Sequence, residues 1–170
     1  KALLLINEIK LFDWLQKYEE LSSEFMRNLN FRNFTRKELE SFLPLYYLTE
    51  VLEEVAVKKL KFSRFEISSC KVIKKWKKKL TNKSINKFSE LERFELHSEM
   101  ENILPTFIFY LPFEYQNDWL TRWRDTGDKL FHPSNLINGN TLKRHLKLND
   151  GPLLGNLLNY LSKEYAFNRI

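Results

Sequence analysis

Residues 63–80, SRFEISSCKVIKKWKKKL, decide the fold class. Ile67, Cys70, Ile73, Trp76 and Leu80 recur at spacings of three and four, the period of one helical face. Lys71, Lys74, Lys75, Lys78 and Lys79 fall on the other faces. Ser63 and Glu66 occupy the ends of a capping box, in which the hydroxyl accepts from the N3 amide and the carboxylate reaches back to the first amide. The stretch predicts an amphipathic helix with an apolar stripe turned inward and a lysine-covered exterior.

The same pattern recurs on both sides. Leu5, Ile9, Phe12 and Leu15 predict a helix over 3–18, followed by a loop over 22–34. Thr35 and Glu38 form a second capping box, opening a helix expected to run to about Leu60 with a kink or break at Pro44. Ser89 and Glu92 form a third, ahead of Leu91, Phe94, Met100, Ile103 and Leu104, with Pro105 ending or bending that helix. Residues 106–111 read as a short buried helix, and residues 114–125 place Trp119, Leu120 and Trp123 on one side. Asp125 to Asn140, with Gly127, Pro133 and Gly139, is the longest irregular stretch and the expected boundary between two packed parts. A short helix is expected at 141–147. A last one, started by Asp150-Gly151-Pro152, is expected to bury Leu153, Leu154, Leu157, Leu158 and Leu161. The reading is all-α: a helical body over 1–125 followed by a smaller helical tail over 126–170.

Composition narrows the function classes. Four Gly and five Pro in 170 residues supply too little turn punctuation for an all-β sandwich. No apolar run approaches the roughly 20 residues that span a bilayer, so no membrane partner is expected. Leu3–Ile6 is too short for a signal sequence, and Glu8 and Lys10 follow it. Cys70 stands alone, which leaves no disulfide framework or thiolate zinc site and fits a reducing, cytoplasmic setting. A chain that starts at Lys1 is expected to be a piece of a longer protein.

Charge is concentrated. Between Lys58 and Lys87 twelve bases face one acid, Glu66, while the whole chain carries +6, so the remainder is mildly acidic. Such asymmetry points to a polyanionic partner. Lysine suits a nucleic-acid backbone, because a point charge on a flexible stem can follow irregular phosphate positions. The other reading of the block is a solvated helix face. The nearby aromatics Phe62, Phe65, Trp76 and Phe88 are expected in the core, Trp76 on the apolar stripe.

Catalytic chemistry is not legible. His97, His132 and His145 are far apart and lack metal-ligand spacing. Asp125 and Asp128 sit beside Gly127 in what reads as a solvated turn. No Gly-rich phosphate loop of the P-loop kind is present. The tail is more specific. Leu136-Ile137-Asn138-Gly139 leads through Leu142, Leu146 and Leu148 to Gly151-Pro152-Leu153-Leu154-Gly155, then Leu157-Leu158. This reads as a short helix, a tight turn and a longer helix whose first amides make an anion site, with Gly155 allowing close backbone approach. The plainer reading is a helical hairpin that only packs.

That tail resembles the carboxy-terminal part of the bacterial-type (class II) CCA-adding enzymes, of the tRNA nucleotidyltransferase and poly(A) polymerase family. Leu60-Lys61-Phe62-Ser63, stepping into a new helix, is similar to that family's body region. The resemblance implies a tRNA-binding body and tail that position the tRNA 3′ end for an amino-terminal catalytic head and neck. This chain holds no Gly-Gly-x-x-Arg-Asp motif, no matching carboxylate pair and no Arg-Arg-Asp-type segment. The head and neck, and the Mg²⁺ that the head uses, are therefore expected outside these residues, with no cofactor in this chain and no activity from it alone. The candidate RNA contacts are Lys58, Lys59, Lys61, Arg64, Lys71, Lys74, Lys75 and Lys78 in the block. In the tail they are Asn138, Gly139, Lys143, Arg144, Lys147, Gly151 and Gly155. The alternatives are a helical scaffold for an acidic protein partner, and a stand-alone enzyme with an unrecognised site.

Overall fold

Three capping boxes open three helices. The Thr35 amide donates to Glu38 Oε2 at 2.7 Å and the Glu38 amide to Thr35 Oγ1 at 3.3 Å, starting α1, Arg36–Val51. The Ser63 amide donates to Glu66 Oε2 at 2.8 Å and the Glu66 amide to Ser63 Oγ at 3.2 Å, starting α2, Arg64–Asn82. Ser89 and Glu92 make the same exchange ahead of α3, Glu90–Met100. Each box satisfies amides that a helix start would otherwise leave without partners. The remaining helices are α4, Leu104–Ile108; α5, Phe113–Arg124; α6, Gly139–Leu146; and α7, Pro152–Ala166.

The computed structural model describes residues 31–51, 62–134, 137–147, 149 and 151–170. Among them are seven α-helices, two short 3₁₀ turns and no strand, so the fold is all-α. The helix expected over 3–18, and the continuation of α1 from residue 52 toward Leu60, lie outside the described residues. α1 runs through Pro44 without a break. The proline is exposed on the outer side, so the carbonyl one turn back, which loses its usual donor, can turn to water. Pro105 neither ends nor bends α3. That helix stops at Met100, and Pro105 lies in the first turn of α4, where its missing amide costs no helical bond.

The described chain divides into two compact units that do not follow the sequence linearly. One takes residues up to Asn82 together with Ile103–Leu120; the other takes Lys83–Asn102 and Thr121–Ile170. In the first unit α1 packs on both α2 and α4. All five residues of α4 are buried, as are Cys70, Ile73 and Trp76 of α2 and Tyr46 and Thr49 of α1, and α4 packs on both of those helices. Phe34 stacks on Phe109 with centroids 4.4 Å apart, and Tyr46 on Tyr110 at 4.7 Å. Thr49 Oγ1 satisfies itself on the Leu45 carbonyl at 2.8 Å and lies 3.5 Å from Cys70 Sγ. Burial pushes the Cys70 thiol up, which removes it as a nucleophile near neutral pH.

In the second unit Asp128 organises the irregular stretch. Its carboxylate accepts from Arg122 Nε at 2.7 Å and from the amides of Leu130 and Phe131 at 3.0 and 3.1 Å. The reading of this aspartate as part of a solvated turn is therefore corrected: it is a mostly buried hub, because its partners come from α5 and from the turn at once. Asp125 does form a local turn, accepting from the Gly127 amide at 2.9 Å. Phe131 is buried under the Arg122 guanidinium, 4.4 Å from its ring centroid, and beside His97, 4.1 Å away.

His97 gives this unit a pH dependence. Burial, and then the charge of Arg122, pull its imidazole from the usual 6.5 down to about 3. The folded state therefore holds it neutral, while the unfolded chain takes up a proton below pH 6.5. Its contribution is complete above pH 6.5 and is lost as pH falls toward 3, by up to about 1.4 kcal/mol per unit. Between about pH 6.5 and 5, above the carboxylate range, the urea midpoint is expected to fall in the native chain and to stay nearly flat in His97→Gln. Parallel pH profiles for the two proteins would refute this assignment.

Candidate nucleic-acid interface

On α2 the apolar and basic positions separate as the periodicity predicts. Cys70, Ile73 and Trp76 are buried, and Ile67 and Leu80 are half-buried. Arg64, Lys71, Lys75 and Lys78 are exposed and Lys74 is half-buried; the steps of seven, four and three put them on one stripe opposite the core. Lys58, Lys59 and Lys61 lie outside the described residues.

Lys77, Lys79 and Lys83, also in the block, make defined contacts within the chain. Lys77 pairs with Glu50, whose Oε1 also accepts the Tyr110 hydroxyl at 2.9 Å, and the ammonium lies 4.7 Å from the Tyr110 ring centroid. Lys83 donates to Glu92 Oε2 at 2.7 Å. That ammonium and the Ser89 amide hold the Glu92 carboxyl down at about 2. Lys79 sits 4.1 Å from the centroid of Trp76, and Lys75, part of the stripe, 5.2 Å. Their stems help close water off from an indole that is fully buried. Trp76 is thus a core residue and offers no open face to a base.

Phe65 is the residue that sequence reasoning missed. It was expected in the core, yet it is 59% exposed in the first turn of α2, next to Arg64. Phe88 is buried and Phe62 half-buried. Its spacing gave no such signal: Phe65 lies eleven residues, about three turns, before Trp76, and so on the same side of the helix as that buried indole.

The tail residues lie in the other unit. Asn138 caps α6, its side-chain oxygen accepting the Asn140 amide at 2.9 Å. At Gly139 a Cβ would stand 3.3 Å from Leu158 Cδ1, so glycine there serves the packing of α6 on α7. Lys143 is half-buried, while Arg144 and Lys147 are exposed. Pro152 opens α7 at its first position, as expected. Gly151 and Gly155 are exposed, and among the described residues nothing beyond their own helix backbone and chain neighbours lies within 4 Å of where a Cβ would stand, so none of these makes the close backbone approach expected at Gly155.

The apolar face of α7 differs from the expectation. Leu153 is 66% exposed, and Leu154, Leu157, Leu158 and Leu161 are only half-buried, while Ser162 and Ala166 are buried. Leu153 stands in the first turn of α7, and the two buried positions, Ser162 and Ala166, stand in its second half. Leu91 on α3 is likewise exposed, not buried.

Among the described residues no three His, Cys, Asp or Glu side chains converge as metal ligands. None of the described helices is long and apolar enough to cross a membrane.

No family model matches the chain, and no solved structure matches it. It is similar to the CC-adding tRNA nucleotidyltransferase of Synechocystis sp., with 29% identity; the match covers 70% of this chain and 30% of that protein. The chain spans about a third of the length of the relative that it matches. Together with the all-α architecture, this similarity supports a relationship to the tRNA nucleotidyltransferases.

Proposed function

We propose that this chain is the tRNA-holding body and tail of a class II, CCA-adding-type nucleotidyltransferase, positioning the tRNA 3′ end for a catalytic head that these residues do not include. The observation that carries the reading is the similarity to a CC-adding tRNA nucleotidyltransferase over 70% of this chain. The α2 stripe of Arg64, Lys71, Lys74, Lys75 and Lys78 supports it as a backbone-tracking surface. Such contacts position an RNA without reading its sequence. Phe65, beside that stripe, is suited to stack an unpaired base. The tail, from Asn138 through Gly155, would hold the tRNA elbow. The body would run to residue 125 and the tail from 126. In this reading Mg²⁺ belongs to the head; the residues described here do not fit a metal, and none of them takes a chemical step. The setting would be cytoplasmic.

Gly155 separates an RNA-contacting tail from one that only packs. With open space at its Cβ position, Gly155→Ala and Gly155→Asp are both expected to melt close to the native chain. A carboxylate in the first turn of α7 even interacts favourably with the helix dipole, by about 0.3–1 kcal/mol. An incoming phosphate meets repulsion. Gly155→Asp should therefore weaken intact tRNA binding about tenfold, Gly155→Ala hardly at all, and neither should alter binding of an acceptor-stem minihelix too short to reach the elbow. Equal losses on both RNAs, or none on either, would remove the tail from the interface.

A further inference from the structure

Lys77 lies at the edge of the cationic stripe on α2. It follows Lys74 by three residues, so the two are neighbours on the helix surface. Its side chain is 42% exposed, so burial does not withhold its charge from a phosphate. A partner on α1 does. Tyr46 and Glu50 stand one turn apart on that helix, and the Tyr46 ring stacks on Tyr110, just past α4. The Tyr110 hydroxyl then donates to Glu50 Oε1 at 2.9 Å. Burial, and after it the Glu50 charge, push the pKa of that hydroxyl up, so it keeps its proton and stays a donor.

The Glu50 carboxylate is therefore held in place by α1 and Tyr110 before any cation reaches it. Lys77 donates to the same Oε1 and lies 4.7 Å from the Tyr110 ring centroid. The carboxylate side chain is only 23% exposed, and partly buried pairs are screened by salt less than exposed ones. A lysine stem is flexible enough to follow a phosphate, so what decides the use of Lys77 is this fixed anion.

We propose that Glu50 limits the RNA-binding face of α2, holding Lys77 off it so that the face presents one cation fewer. The inference rests on the tRNA reading. Phosphate contacts hold RNA without reading its sequence, so Glu50 would set the strength of the hold and not its specificity. The test is tRNA binding by the full chain across a salt series. Glu50→Gln removes the charge and keeps an oxygen for the Tyr110 hydroxyl. It should bind tRNA about fivefold more tightly at 0.1 M salt, with a log–log slope steeper by about 0.7–0.9, one added phosphate contact. Glu50→Gln/Lys77→Gln should return to the native affinity and slope. Glu114→Gln, which removes an exposed negative charge from α5 in the same unit, should leave the slope unchanged. The native chain gives a second measurement that needs no variant to fold. In acetylation footprinting read by mass spectrometry, tRNA should protect Lys71, Lys75 and Lys78 and leave the reactivity of Lys77 unchanged. Native affinity in Glu50→Gln, a gain that survives Lys77→Gln, an equal gain in Glu114→Gln, or protection of Lys77 as strong as that of Lys78 would overturn this inference alone. A native chain that binds no tRNA would overturn the tRNA reading and this inference with it.

Discussion

Replacing Lys71, Lys74, Lys75 and Lys78 together by glutamate is expected to weaken tRNA binding about a thousandfold at 0.1 M salt. The size follows from counterion release. Each phosphate contact contributes about 0.7–0.9 to the slope of log affinity against log salt, so four contacts contribute about 3, or a thousandfold per tenfold dilution of salt from 1 M. Helix content should persist, since these positions lie off the Cys70–Ile73–Trp76 face. Phe65→Ala in the same assay should lower affinity for RNA with an unpaired end by about 1–3 kcal/mol if the ring stacks on a base, and should change stability little because the side chain is exposed. Unchanged circular dichroism with unchanged affinity would reduce the stripe to a solvated helix face.

The stripe was legible because a helix has a fixed period. Once Ile67, Cys70 and Ile73 define the inner face, the outward positions follow by counting. The capping boxes were legible for a similar reason: Thr35, Ser63 and Ser89 each act on an acid three residues later, so the interaction is local. Long-range partners were not. Nothing near Asp128 in sequence announces that Arg122 and the Leu130 and Phe131 amides will converge on its carboxylate. Lys77 looks like its neighbours on α2, yet Glu50, far away in the chain, takes it out of the basic surface. Leu153 looked buried because α7 is apolar along its length, but α6 and α3 pack on α7 and leave Leu153, in its first turn, exposed. The candidate contacts were therefore visible as a pattern, while the partner of Lys77 and the exposure of Phe65 were not.

Trp76→Ala is expected to destabilise the chain by about 3–5 kcal/mol, the range for deleting a fully buried large aromatic side chain. The loss combines apolar surface returned to water with a cavity in the core of the first unit, which rigid helical packing fills only in part. It also removes the ring over which Lys75 and Lys79 lie. Urea denaturation monitored by far-ultraviolet circular dichroism measures it. A stability change below about 1 kcal/mol accompanied by a large loss of RNA affinity would mean that the indole serves as a stacking platform, and would contradict its place in the core.

The central claim, that this chain holds tRNA through a cationic helix face, is tested most directly by the salt dependence of tRNA binding to the unmodified chain. If Arg64 and the four stripe lysines all reach phosphates, the log–log slope is predicted to have a magnitude of about 3.5–4.5, and to fall to about 1 when the four lysines are reversed. A slope near zero, or the absence of saturable tRNA binding at low salt, would contradict it.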